Sequence, residues 1–250
     1  MKYLVSFCFT LLSALPTLAQ GTIPQSAQSQ LAKELVIERV CKSPEVTSGA
    51  EFDELQRVEQ KLGTVINQDR QHRTYVALAN SPVINAWATN FNLNISMICV
   101  PVAMVHFMGD AEGELAFILS HEIGHTLDDR CKTEEGRLAV ANSRGSLGAV
   151  LGGLLGGQKG AAAASKISQQ RGCEERADEI GFYVFTASGY NPYDAAGAFG
   201  RIEMYLGDTR TGIFARLNAL GSDHPMTPDR IRHMRVLLIN NAVQKAGRGQ

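Results

Sequence analysis

His121 and His125 stand four residues apart in the run His121-Glu122-Ile123-Gly124-His125, an H-E-x-x-H motif. On a helix, residues i and i+4 project from one face with their Cα atoms about 6 Å apart along the axis, so the two imidazoles can share one metal ion. Glu122 is turned about 100° from His121 and faces a metal-bound water instead of the metal itself, which suits a general base. With six histidines in the chain, a chance match is rare, roughly 0.01 per chain of this composition. The apolar neighbours Phe117, Ile118, Leu119 and Ile123 would sink such a helix into a core, so the motif reads as a site and not as two surface histidines. A catalytic zinc takes three protein ligands and keeps one position for water, so a third donor must come from elsewhere.

The later run Glu174-Glu175-Arg176-Ala177-Asp178 begins 49 residues after His125 and places Glu174 and Asp178 on one face of a helix. By itself such an acidic cluster is more often a solvated face. The elements that must position these residues can be read from periodicity. Phe52, Leu55, Val58, Leu62, Val65 and Ile66 mark an amphipathic helix over 51–69, and Leu115, Ile118, Leu119, Ile123 and Leu127 mark the H-E-x-x-H helix, with Asp110 or a neighbour as its N-cap. Short β-branched or aromatic runs at Tyr75–Leu78, Ile84–Ala88 and Ile95–Val105 predict a small sheet. Helical spacing returns over 170–187, 191–206 and 229–246. The expected fold class is α+β, mainly helical, with a small β-sheet beside the H-E-x-x-H helix.

Lys2 followed by an apolar run from Leu4 to Leu15 and by Thr17-Leu18-Ala19 has the form of a signal peptide over 1–19. Its removal would leave 231 residues, within the size of one domain, and loss of Lys2 would take the net charge from −1 to −2. A balance so near zero argues against nucleic acid as a partner. The presequence run is too short to span a bilayer and the later apolar stretch too rich in glycine, so a soluble protein exported to the periplasm or secreted is expected. Cys8 lies inside the presequence run instead of following the cleavage point, which speaks against a lipid anchor. Residues 20–50 are expected to be flexible or poorly ordered, and 51–250 to form one domain. Residues 146–165 (SLGAVLGGLLGGQKGAAAAS) read as a packed helix pair or loop, or alternatively as a flap or a membrane-touching segment. Cys41, Cys99, Cys131 and Cys173 are an even set in a chain bound for an oxidising compartment, and four cysteines allow three pairings.

Taken together, H-E-I-G-H preceded by Gly113–Ser120, then E-x-x-A-D-x-x-G at Glu174–Gly181, then His224-Pro225 and Arg230-Ile231 resemble the zinc endopeptidases of the CAAX prenyl protease and HtpX type. The similarity runs from about Ser81 to Ile231. It implies a gluzincin with His121, His125 and Glu174 as zinc ligands, Glu122 as general base and Asp178 as partner of a ligand histidine. It also implies that His224 and Arg230 lie over the site, acting on the transition state or, for the histidine, capping the metal at rest. Ser81–Ala86 resembles the family's approach to the edge strand along which substrate lies; Asn90-Phe91-Asn92-Leu93-Asn94 departs from the family's usual Gly-Gly turn.

On this reading Cys131, six residues past His125, and Cys173, directly before Glu174, would pair and tie together the two segments that share a metal, leaving Cys41 with Cys99. The function implied is hydrolysis of misfolded or unfolded envelope polypeptides with one Zn2+ per chain. The alternatives are a latent or inactive metal-binding, chaperone-like module and a zinc hydrolase of cell-wall peptides. Tyr190, Tyr193 and Tyr205 are expected in the core, and His72, His106 and His233, which have no partner motif, are expected to be structural.

Overall fold

The computed structural model describes residues 25–66, 73–91, 94–133, 137, 169–206, 224 and 228–248. Its elements in chain order are α1 (Gln25–Cys41), α2 (Ala50–Ile66), β1 (Arg73–Ala79), β2 (Trp87–Asn90), β3 (Ile95–Pro101), α3 (Val102–Met108), α4 (Glu112–Leu127), α5 (Asp129–Lys132), α6 (169–187), α7 (Pro192–Leu206) and α8 (Pro228–Arg248). The chain divides into a short unit up to Val36 and a main unit from Ile37 onward. In the short unit the described residues are helical, and Leu35 and Val36 are exposed. Helix α1 thus occupies part of the stretch expected to be flexible. Its C-terminal residues Ile37 and Cys41 are buried in the main unit, and a disulfide from Cys41 to Cys99 fastens them to β3.

The sheet has the order β1-β3-β2, with β1 parallel to β3 and β2 antiparallel to it. Central β3 reads Ile-Ser-Met-Ile-Cys-Val-Pro and is buried at every position after Ile95, as a strand covered on both faces must be. The strand expected to run on to Val105 stops at Pro101. From Val102 the backbone is helical as far as Met108, and Gly109 ends it with a φ of 55°. Proline has no N–H and suits the N-cap position of a helix as well as the end of a strand.

Helix α4 is the centre of the core. Of the twelve residues from Leu115 to Thr126 all but His125 are buried, because α2, α7 and the sheet all pack around the helix. Phe117 meets Phe185 edge-on at 5.6 Å and Phe199 at 5.7 Å. Its N-cap is Ala111, which offers no side-chain bond, and not Asp110; Glu112 and Glu114 in the first turn supply negative charge at the positive end of the helix.

Two glycines set how closely α4 and α6 approach. A Cβ on Gly124 would stand 2.4 Å from the Ala177 carbonyl oxygen, and one on Gly181 2.7 Å from that of Ser120. The glycines of both motifs therefore let the helices touch backbone to backbone, and that contact aims Glu174 and Asp178 at the histidine pair. A second disulfide, Cys131 to Cys173 with Cα atoms 5.7 Å apart, joins α5, which follows directly on α4, to the N-terminal part of α6. Both expected cysteine pairings are present.

Of the tyrosines expected in the core, Tyr190 is buried and stacked on Phe185, whereas Tyr193 and Tyr205 are 69% and 54% exposed. Helix α7 keeps Ala195, Ala198 and Phe199 inward, and the two tyrosines fall on its other side. His106 pairs with Glu51 and His233 with Glu179. His72 and the stretch 146–165 lie outside the described residues.

Candidate active site

Helix α4 delivers His121 and His125, α6 delivers Glu174, and His224 arrives from the approach to α8. Their donor atoms all lie within 4.8 Å of one another. His121 Nε2 is 3.2 Å from His125 Nε2, 3.3 Å from Glu174 Oε2 and 3.4 Å from His224 Nδ1. His125 Nε2 is 3.3 Å from Glu174 Oε1, and His224 Nδ1 is 3.2 Å from Glu174 Oε2. A tetrahedral zinc with bonds of about 2.0–2.1 Å separates its ligands by about 3.3–3.4 Å; the four distances among His121 Nε2, His125 Nε2, His224 Nδ1 and Glu174 Oε2 given above, at 3.2–3.4 Å, are of that length. Three imidazole nitrogens and a carboxylate oxygen are also donors that suit zinc. The residues present fit the metal.

Behind the donors lies a layer of buried charge. His121 Nδ1 is 2.8 Å from Asp178 Oδ1, which fixes the ring and leaves Nε2 facing the donor cluster. Arg230 Nε and Nη2 donate to the two oxygens of Asp178 at 2.8 and 2.7 Å, and Nη1 lies 3.0 Å from Glu174 Oε2. Arg230 itself is 4% exposed, with its guanidinium over the Phe199 ring. The resemblance led to the expectation that Arg230 acts on the transition state. In the structure its guanidinium lies between two carboxylates, within hydrogen-bond reach of both Asp178 and Glu174. Helix α8 starts at Pro228, so Arg230 lies in its first turn and points inward.

The buried titratable groups shift one another. Burial disfavours charge on His121, yet the hydrogen bonds with Asp178 and Glu174 outweigh it and raise its pKa; His224 is likewise raised, against burial, by Glu122 and Glu174. Burial pushes Glu174 up, but His224 and His125 beside it hold the carboxyl well below its ordinary value. Asp178 is held low in the same way, against burial, by Arg230. The raised imidazoles and the lowered carboxylates have one origin, opposite charges stabilising one another across the cluster.

Glu122 is 2% exposed and its Oε1 is 3.5 Å from His224 Nε2. Its Oε2 is buried without a hydrogen-bond partner among the described residues. A buried carboxylate oxygen without a partner is costly and calls for a reason; a position reserved for a reacting group supplies one. The donors open onto a cleft of about 700 Å³ whose lining includes Ser81, Pro82, Val83 and Asn85, together with Trp87, Ala88 and Asn90 of edge strand β2.

Two supports have no local signature in the sequence. Asn90 Nδ2 donates to the His125 carbonyl at 3.4 Å and its Oδ1 accepts from Ser96, joining the edge strand to the metal helix. Arg176 donates from Nε and Nη2 to Asp128, just past the end of α4. Arg176 stands inside the acidic run, on a face that spacing alone assigned to solvent; nothing in the sequence names Asp128 as its partner.

Comparison with known proteins agrees with this geometry. Residues 49–237 match the peptidase family M48. The chain is also 35% identical to the beta-barrel assembly-enhancing protease of Yersinia pestis over 127 residues, which cover 46% of this chain and 25% of the relative. The match thus spans about a quarter of that relative's length. With a four-donor centre on the motif helices, a carboxylate beside it and a family match over most of its length, the chain belongs to peptidase family M48 and is a metallopeptidase.

Proposed function

We propose that the chain is a zinc endopeptidase of the cell envelope that hydrolyses unfolded or misfolded polypeptides and is latent at rest. The observation that carries the reading is the convergence of His121, His125, Glu174 and His224, whose donor atoms lie within 4.8 Å of one another, beside the unpartnered Glu122 Oε2. When bound there, zinc supplies a Lewis acid for the scissile carbonyl and lowers the pKa of a coordinated water from 15.7 toward about 7. Glu122 takes the proton of the attacking water on its free oxygen and returns it to the leaving amine. Asp178 holds His121 in the tautomer that ligates through Nε2, and Arg230 holds Asp178 and Glu174 against their mutual repulsion. An extended substrate adds to the edge of β2, so main-chain hydrogen bonds supply most of the affinity and favour unfolded segments.

Latency follows from His224. A fourth protein donor closes the position a catalytic zinc needs for water, so His224 must leave before substrate can be cut; its Nε2, 3.5 Å from Glu122 Oε1, would be of the type to donate to a developing oxyanion. The envelope setting is supported by the signal-like presequence, by two disulfides and by the likeness to a protease named for enhancing β-barrel assembly. No helix among the described residues is long and apolar enough to cross a membrane.

The test is casein cleavage by the zinc-loaded protein, with and without a chelator, for the parent and for His224→Ala. Chelator-sensitive cleavage that persists or rises in His224→Ala supports a latent peptidase. A loss of about 100-fold in that variant would leave His224 only its transition-state role. Zinc binding with no cleavage by either protein would make the chain a binding module.

A further inference from the structure

Lys42 is the residue of the cleft that the peptidase reading leaves without a task. Among the described residues lining the cleft only Lys42 and Glu174 carry a formal charge, and Glu174 belongs to the donor set. The remaining wall is neutral, formed by residues such as Ser43, Pro82, Val83, Asn85 and Trp87. Lys42 is exposed, and no carboxylate among the described residues pairs with it. With a whole-chain net charge of −1, no general field competes with this one local cation.

Its backbone points the same way. Lys42 follows directly on the last residue of α1 with a φ of 55°, in the left-handed region where a helix commonly ends on glycine. The other positive-φ positions among the described residues, at 49, 109 and 189, are all glycine. Here alone the chain carries a side chain where the backbone favours none. The position is also fixed: neighbouring Cys41 is bonded to Cys99 of β3, and Cys99 is the register partner of Trp87 in edge strand β2. Strand β2 runs from Trp87 to Asn90, whose amide touches the His125 carbonyl. Three residues of strand span about 10 Å, so the Trp87 end, with Lys42 beside it, meets a bound peptide roughly three residues from the scissile bond.

We propose that Lys42 sets substrate specificity by receiving an acidic side chain of the peptide, about three residues to one side of the bond that is cut. The inference rests on the reading that an extended peptide occupies this cleft. Lys42 remains partly in solvent, so the preference for Glu over its neutral isostere Gln is modest, about three- to tenfold, and weakens with salt.

The experiment uses two readouts. Quenched-fluorescence peptides with Glu, Gln or Lys placed two to four residues on either side of the scissile bond are cleaved by the zinc-loaded parent, by Lys42→Gly, whose backbone suits the site, and by Lys42→Glu. The same peptides are titrated against zinc-loaded Glu122→Gln, with and without Lys42→Gly, following the fluorescence of Trp87, the only tryptophan of the chain and itself part of the cleft wall. The expected result is a three- to tenfold preference for Glu at one position, carried by KM and Kd, abolished in Lys42→Gly without loss of thermal stability and turned toward Lys in Lys42→Glu. Equal cleavage and equal binding of Glu and Gln peptides by the parent, or a preference that survives in Lys42→Gly, overturns it. Discrimination in the Trp87 titration without any cleavage upholds Lys42 and sinks the peptidase reading; cleavage without discrimination does the reverse.

Discussion

The cleft has two walls, and they are built on opposite principles. The wall formed by α4 and α6 is buried and charged: His121, Glu122, Glu174 and Asp178 are all below 6% exposed, and each lies within 3.5 Å of another charged or titratable group of the cluster. The wall formed by β2 and the segment before it is neutral and half open, with Val83 at 49% exposed. Each wall carries one disulfide, Cys131–Cys173 on the first and Cys41–Cys99 on the second. The difference shows where the protein spends rigidity. Metal ligands must be held to a few tenths of an ångström, whereas a strand edge that receives many sequences needs only its main chain in place.

The sharpest way to break this comparison is Glu122→Gln. A fall of about 10²- to 10⁴-fold in kcat with zinc content unchanged is expected for loss of a general base; metal analysis beside the rate checks it, and an equal loss of zinc would make Glu122 a ligand. Next in size is Arg230→Ala. It leaves Asp178 and Glu174 buried without their cation, and removing one partner of a buried pair costs about 3–5 kcal/mol. Denaturant unfolding should show it, and a change below about 1 kcal/mol would mean that the charged wall is not rigid.

The two disulfides separate the walls directly. In the chain-entropy model each closes a loop worth about 4 kcal/mol, less any strain. Cys131→Ser with Cys173→Ser should lower stability and zinc affinity together. Cys41→Ser with Cys99→Ser should lower stability and raise KM while zinc affinity stays. Isothermal titration of both double variants decides this, and identical zinc affinities would erase the distinction. A smaller effect tests the register of the third ligand: Glu174→Ala should weaken zinc about 100-fold or more, and Glu175→Ala should leave it nearly unchanged. The smallest belongs to the open wall. Val83→Ala should change stability by no more than about 0.5 kcal/mol, its effect appearing in KM.

Much of the charged wall was legible because its chemistry is local. His121 and His125 share one helix face with Glu122 turned about 100° from it, and Glu174 and Asp178 share a face of another helix; a period of 3.6 residues gives both placements, and the family resemblance joined them into one site. The apolar spacing of α2 and α4 was legible for the same reason. The cysteine pairing followed from the ligand set that the family resemblance implied. What the sequence determined by itself was therefore the set of groups able to hold a metal and the helices that carry them.

The tertiary structure decided everything that depends on two distant segments touching. Arg230 had the type of a transition-state donor, yet the entry of α8 sets it between Asp178 and Glu174, where two carboxylates compete for it. Gly124 and Gly181 are ordinary letters in their motifs until α4 and α6 come close enough for a Cβ to collide. The strand expected to reach Val105 ended at Pro101, and Asn90 and Arg176 found partners 35 and 48 residues away. Lys42 looked like one surface lysine among many until the Cys41–Cys99 bond set it beside the substrate strand. Periodicity carries information only across a turn or two of chain; the direction in which a side chain points across a cleft is set by packing between elements, and no local spacing encodes it.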